Sequence, residues 1–81
     1  MDYNELADVI ERFIDGTSGP LEWDIYSLGK TYEDPFLVSV QKRMLSVWVE
    51  FPPASKREYT NPEGLAVLRG LAEELRSRAR Q

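Results

Sequence analysis

The chain has neither cysteine nor histidine among its 81 residues. Without cysteine no disulfide can staple the fold and no thiolate can hold zinc, which fits a cytoplasmic protein. Without histidine the usual general base near neutral pH is missing, as is the commonest zinc ligand. No apolar run reaches the roughly 20 residues needed to span a bilayer, and the acidic start does not read as a signal peptide. Neither an internal repeat nor a low-complexity segment interrupts the chain. Glycine and proline number five each, so turn positions are few.

What is present describes a small globular protein. Apolar residues make up 42% and charged residues 30% of the chain, a balance that supports folding rather than disorder. A chain of this length forms one domain, 1–81, and buries roughly 60–65% of its unfolded surface, enough for one small core. The net charge of −4 is unevenly spread: residues 1–35 hold nine acids and two bases, residues 36–81 five acids and eight bases. An acidic front half argues against general nucleic-acid binding. It suits a basic protein partner, or the solvated faces of ordinary helices.

Residues 3–14 read as a helix whose apolar stripe is Leu6, Val9, Ile10, Phe13 and Ile14, with Asp2 or Asn4 as its N-cap. Gly16 supplies a left-handed stop and Pro20 follows. Asp34-Pro35 opens a second helix over about 35–49, with Phe36 or Leu37, Val40, Met44, Val47 and Trp48 facing inward. Its β-branched and aromatic content also allows a strand pair over 36–51, but the connecting Gln41-Lys42-Arg43-Met44 has no glycine or asparagine to turn a hairpin. If Val38, Leu45 and Val49 lie outside the core, they form an apolar patch with Trp48 or Phe51. After Pro52-Pro53 comes a polar loop with a small basic site at Lys56-Arg57. Asn61-Pro62 then starts a third helix, 62–79, with Leu65, Leu68, Leu71, Ala72, Leu75 and Ala79 inward. Gly70, inside that helix, is expected where another element approaches closely. The expected fold is mostly α: three helices, with the long 15–34 connection packed over the core.

The most unusual stretch is Phe13 to Asp24. It holds two glycines, a proline, three carboxylates and one of the two tryptophans. Leu21-Glu22-Trp23-Asp24-Ile25-Tyr26 alternates apolar with polar residues and predicts an extended strip folded over the helices. Trp23 reads either as a core anchor or as an aromatic contact for a partner. Asp15, Glu22 and Asp24 lie close in sequence, but their spacing does not match a calcium loop. Gly29-Lys30-Thr31 lacks the glycine and the immediate helix that a phosphate-binding loop requires.

The combination Phe13-Ile14-Asp15-Gly16-Thr17, Gly19, Trp23-Asp24, Asp34-Pro35 and Glu63-Gly64-Leu65 before a leucine-rich helix resembles an uncharacterised family of short bacterial proteins. The resemblance covers most of the chain and implies no activity. Size and acidity are also similar to small immunity proteins, by analogy alone. The reading is of a non-catalytic protein–protein interaction module of a bacterial cell, immunity-like or a complex subunit, with a protein partner or self-association. Trp23, Asp24, Asp15 and Tyr26 are its candidate binding residues, with no cofactor and no metal. The alternative is a small carboxylate- or metal-dependent enzyme using Asp15, Glu22 and Asp24. A weaker one is a nucleic-acid regulator using Arg69, Arg76, Arg78 and Arg80.

Overall fold

A computed structural model describes residues 2–19, 21–55 and 58–81. Pro20 and the Lys56-Arg57 pair, singled out above, lie outside the described residues. In order, the elements are α1 (Tyr3–Asp15), α2 (Glu22–Asp24) running into a π turn (Ile25–Gly29), α3 (Pro35–Glu50) and α4 (Pro62–Ala79). There is no strand among the described residues.

Three helices are set by local capping. The Asp2 carboxylate accepts the Asn4 N–H at 2.8 Å, Asp34 accepts the Phe36 N–H at 2.8 Å, and Asn61 accepts the Gly64 N–H at 3.0 Å. Each satisfies a donor that a helix start leaves free. Pro35 and Pro62 stand at the first helical positions, where no N–H is missed. α1 stops at Gly16, whose φ of 77° needs the absence of a Cβ. Residues 36–51 do not form a strand pair; they continue one helix through Glu50, because nothing in 41–44 turns the chain.

The core is built where these helices meet. Leu6, Ile10, Met44, Leu68 and Leu75 are fully buried, with Val9, Val40 and Val47 around them. α1 and α4 run antiparallel. Arg76, late in α4, donates to Asn4 and Asp8 early in α1, whereas Arg69 and Glu73 share a hollow with Ile14 and Asp15 at the other end. At the base of α3, the loop before α4 turns back: Thr60 Oγ1 donates to the Phe51 carbonyl at 2.5 Å, and the Asn61 N–H to the same oxygen at 3.1 Å. Carbonyls that the end of α3 leaves open are thereby closed.

Four expectations are corrected. The 15–34 connection is not a plain loop draped over the core but carries α2 and the π turn, so there are four helices among the described residues rather than three. Leu21–Tyr26 is helical, not extended: the Ile25 N–H bonds the Leu21 carbonyl at 2.9 Å, and a helical advance separates buried Trp23 from exposed Leu21 and Ile25. Six alternating residues are too few to fix a period against one tryptophan that gains more by burial. Trp48 is half exposed, because the buried stripe of α3 is Leu37, Val40, Met44 and Val47, and Trp48 stands about 100° further round. Gly70 likewise has open space where a Cβ would stand. The close approach is at Gly64, where a Cβ would lie 1.9 Å from Thr60 Oγ1.

Candidate functional site

Two depressions involve the α2 segment. The first lies under the Gly16–Asp24 turn. The last turn of α1 brings in Phe13, α2 brings Trp23 and Asp24, and the loop before α4 brings Tyr59. Phe13 and Trp23 stack at 3.8 Å between ring centroids and 18° between planes. Tyr59 stands edge-on to Phe13 at 5.2 Å and 90°. With Ser18, Gly19 and Asp24 these rings line an open cleft of about 380 Å³.

The local wiring explains why α2 sits there. Arg12 grips Glu22 with two parallel bonds, Nε to Oε1 at 2.9 Å and Nη2 to Oε2 at 2.8 Å. A bidentate pair of this kind fixes orientation as well as distance. The Arg12 hydrogen bond, before its charge, holds the Glu22 carboxyl below its usual range. Trp23 is buried to 7% exposure, and its indole Nε1 has no hydrogen-bond partner among the described residues. Tyr59 donates its hydroxyl to the Met44 carbonyl at 3.0 Å. Burial raises the Tyr59 pKa, the nearby Trp23 indole pulls against that, and the Asp24 charge adds to it.

The second depression is a groove of about 350 Å³ between the π turn and α3, with Leu28, Val38 and Leu45 as its apolar part and Lys30 and Lys42 beside them. The wide turn makes it. The Lys30 N–H reaches the Ile25 carbonyl at 2.9 Å, a bond spanning one residue more than an α-helix allows. Gln41 on α3 holds the turn by donating to the Lys30 carbonyl at 2.8 Å, and Tyr32 donates to the Tyr26 carbonyl at 2.8 Å. Ser27, buried inside the turn, donates to the Trp23 carbonyl at 2.7 Å. Leu28 is left 68% exposed above α3.

The four candidate binding residues do not form one constellation. Trp23 and Asp24 share the cleft. Asp15 faces a separate hollow with Glu11, Ile14, Arg69 and Glu73. Tyr26 turns to α1, donating its hydroxyl to Glu5 at 2.8 Å while Lys30 lies over its ring at 4.7 Å. Of the three clustered carboxylates, Glu22 is engaged by Arg12. No group of three His, Cys, Asp or Glu side chains among the described residues is placed to hold a metal ion. Two of the four arginines considered for nucleic acid are engaged: Arg76 with Asp8 and Glu11, Arg78 with Glu74 and the face of Phe36.

The acidity of the front half is also largely spent inside the molecule. Asp2 and Asp34 cap helices, Asp34 also accepts from Tyr3, Glu5 accepts from Tyr26, Asp8 and Glu11 hold Arg76, and Glu22 holds Arg12. Sequence reading missed Tyr59, read as part of a polar loop, and the place of Leu28, Lys30 and Lys42. A large apolar residue, Leu28, between Ser27 and Gly29 in the 15–34 connection was the available signal. No protein-family model matches the chain, and neither a curated protein nor a solved structure matches it. No helix among the described residues is long and apolar enough to cross a membrane.

Proposed function

We propose that this protein is a non-catalytic protein–protein interaction module of the bacterial cytoplasm, immunity-like or a subunit of a complex, and that it engages its partner through the α2–α3 side. One observation carries the reading. The large apolar side chains exposed among the described residues are Leu21, Ile25, Leu28, Trp48 and Val49, and all lie on the α2 segment or α3. Neither α1 nor α4 has one. Apolar side chains scattered singly need no explanation, but a concentration on two neighbouring elements supports an association surface exposed in the free protein.

On this reading Trp23, stacked on Phe13 and buried, packs the molecule rather than touching a partner. Asp24 is the sequence candidate placed to contact a ligand in the cleft. The test is affinity capture from native cells with wild type, Leu28→Asp and Trp48→Ala, after circular dichroism has established that all three are folded. A partner held by wild type and lost by the folded variants supports the reading. A partner retained by both variants moves the interface off this side. A wild-type protein that stays monomeric and captures nothing overturns it.

A further inference from the structure

Resting on that reading, we infer that the groove between the π turn and α3 docks an acidic amphipathic helix of a protein partner. The argument begins with charge. Acids make up 14 of the 81 residues, yet the groove has none among its described lining residues, which include Lys30 and Lys42. Four arginines elsewhere in the fold are matched: Arg12 to Glu22, Arg43 to Glu50, Arg76 to Asp8 and Glu11, Arg78 to Glu74. Lys30 and Lys42 have no carboxylate within ion-pairing distance among the described residues, and Lys30 rests on the Tyr26 ring instead. The groove lining therefore presents two lysines without an acid among them, inside a chain of net charge −4.

Shape and length agree. Val38, Leu45, Trp48 and Val49 recur along α3 at seven-, three- and four-residue intervals, so they share a flank with Lys42 between them. At 1.5 Å per residue that flank is about 16 Å long, the length of a three-turn helix. Leu28 overhangs one margin and leaves a trough that an apolar stripe at i, i+3, i+4 and i+7 would fill. Acidic residues on either side of such a stripe would meet Lys30 and Lys42. A second copy of this chain is a poorer occupant. Asp2, Asp8 and Glu11 are tied to its own helix cap and arginine, and its own exposed apolar flank brings lysines to face lysines. An anionic membrane is disfavoured because the groove between the π turn and α3 is concave, whereas a bilayer offers a broad flat surface.

The experiment uses two synthetic helical peptides with the same leucine stripe, one with glutamate and one with lysine on its polar face. Binding to the full chain is read by calorimetry and by backbone amide shifts. The glutamate peptide is expected to bind about tenfold tighter than the lysine peptide at low salt, with shifts at Leu28, Val38, Lys42 and Leu45. Lys30→Glu with Lys42→Glu should reverse the preference, and Leu28→Asp should abolish binding of both peptides. Equal binding of the two peptides, lost in Leu28→Asp, overturns the acidic partner and leaves the interaction face standing. Tighter binding of the lysine peptide, or shifts mapping elsewhere, overturns the inference, as does binding of neither peptide. Dimerisation of wild type abolished by Leu28→Asp assigns the groove to a second copy. Groove shifts induced by vesicles containing anionic phospholipid, with neither peptide bound, assign it to a membrane. The native capture experiment judges the broader reading independently.

Discussion

The α1–α4 seam and the α2–α3 flank are built from the same kinds of residue and satisfied in opposite ways. Along the seam, fully buried Leu6, Ile10, Leu68 and Leu75 sit under a polar cover in which one guanidinium, Arg76, meets Asn4, Asp8 and Glu11. Along the flank, Leu28, Trp48 and Val49 stay in solvent and Lys42 faces no acid among the described residues. Charge and apolar surface that are matched internally stabilise the monomer. What remains unmatched is available to another molecule. On the proposed function the difference separates stability from recognition by place in the fold, and substitutions can test whether that separation holds.

The largest effect belongs to the seam. Ile10→Ala or Leu75→Ala should cost about 2–5 kcal/mol in a urea titration, a large share of what a domain this size has. A loss below about 1 kcal/mol would mean that the seam is not the stabilising half. A comparable test of the flank is alkaline. Tyr32, at the foot of the groove, is pushed up to about 12 by burial. A raised folded value means that its contribution is fully present below the ordinary tyrosine pKa and lost as pH rises through about 12. The shift corresponds to roughly 2–3 kcal/mol. Ultraviolet titration should find one tyrosine ionising last, together with unfolding, and Tyr32→Phe should remove that late phase.

Smaller effects sharpen the contrast. Gly64→Ala should destabilise by about 1–3 kcal/mol, because its Cβ collides with Thr60, which is held by the end of α3. Gly70→Ala, with open space at the same atom, should stabilise by up to about 1 kcal/mol. Thermal melts of the pair read both signs at once. Arg76→Ala should cost on the order of 1 kcal/mol at neutral pH. Its hydrogen bond is the main reason that Glu11 lies below its ordinary value of 4.5, so the stability of this pair is present above that value and lost as pH falls through the depressed one. Arg76→Ala should therefore flatten the acid limb of the stability curve. Leu28→Asp on the flank should change stability by less than about 0.5 kcal/mol. A larger loss would make the flank part of the core and remove the contrast.

Legibility followed the range of the forces. The bounds of α1, α3 and α4 were readable because Asp2, Asp34, Asn61, Pro35, Pro62 and Gly16 act within a turn of themselves. α2 was misread because a six-residue alternation, Leu21 to Tyr26, was overruled by Trp23 stacking on Phe13 and by Glu22 meeting Arg12, both contacts between residues ten positions apart. The candidate site was legible in part: Asp24 borders an open cleft and Val38, Leu45 and Val49 mark an apolar flank, but Asp15 and Tyr26 point away from Trp23.

By itself the sequence determined a mostly helical chain, its three long helices, their N-caps and the centres of their inward stripes, because these depend on neighbours a few residues apart. Tertiary structure alone decided which distant charges cancel. Arg76 meets Asp8 across 68 positions and Asn4 across 72, and no spacing rule reaches that far. It also decided that Trp23 is buried while Trp48 is exposed, because burial depends on what another part of the chain lays against a side chain.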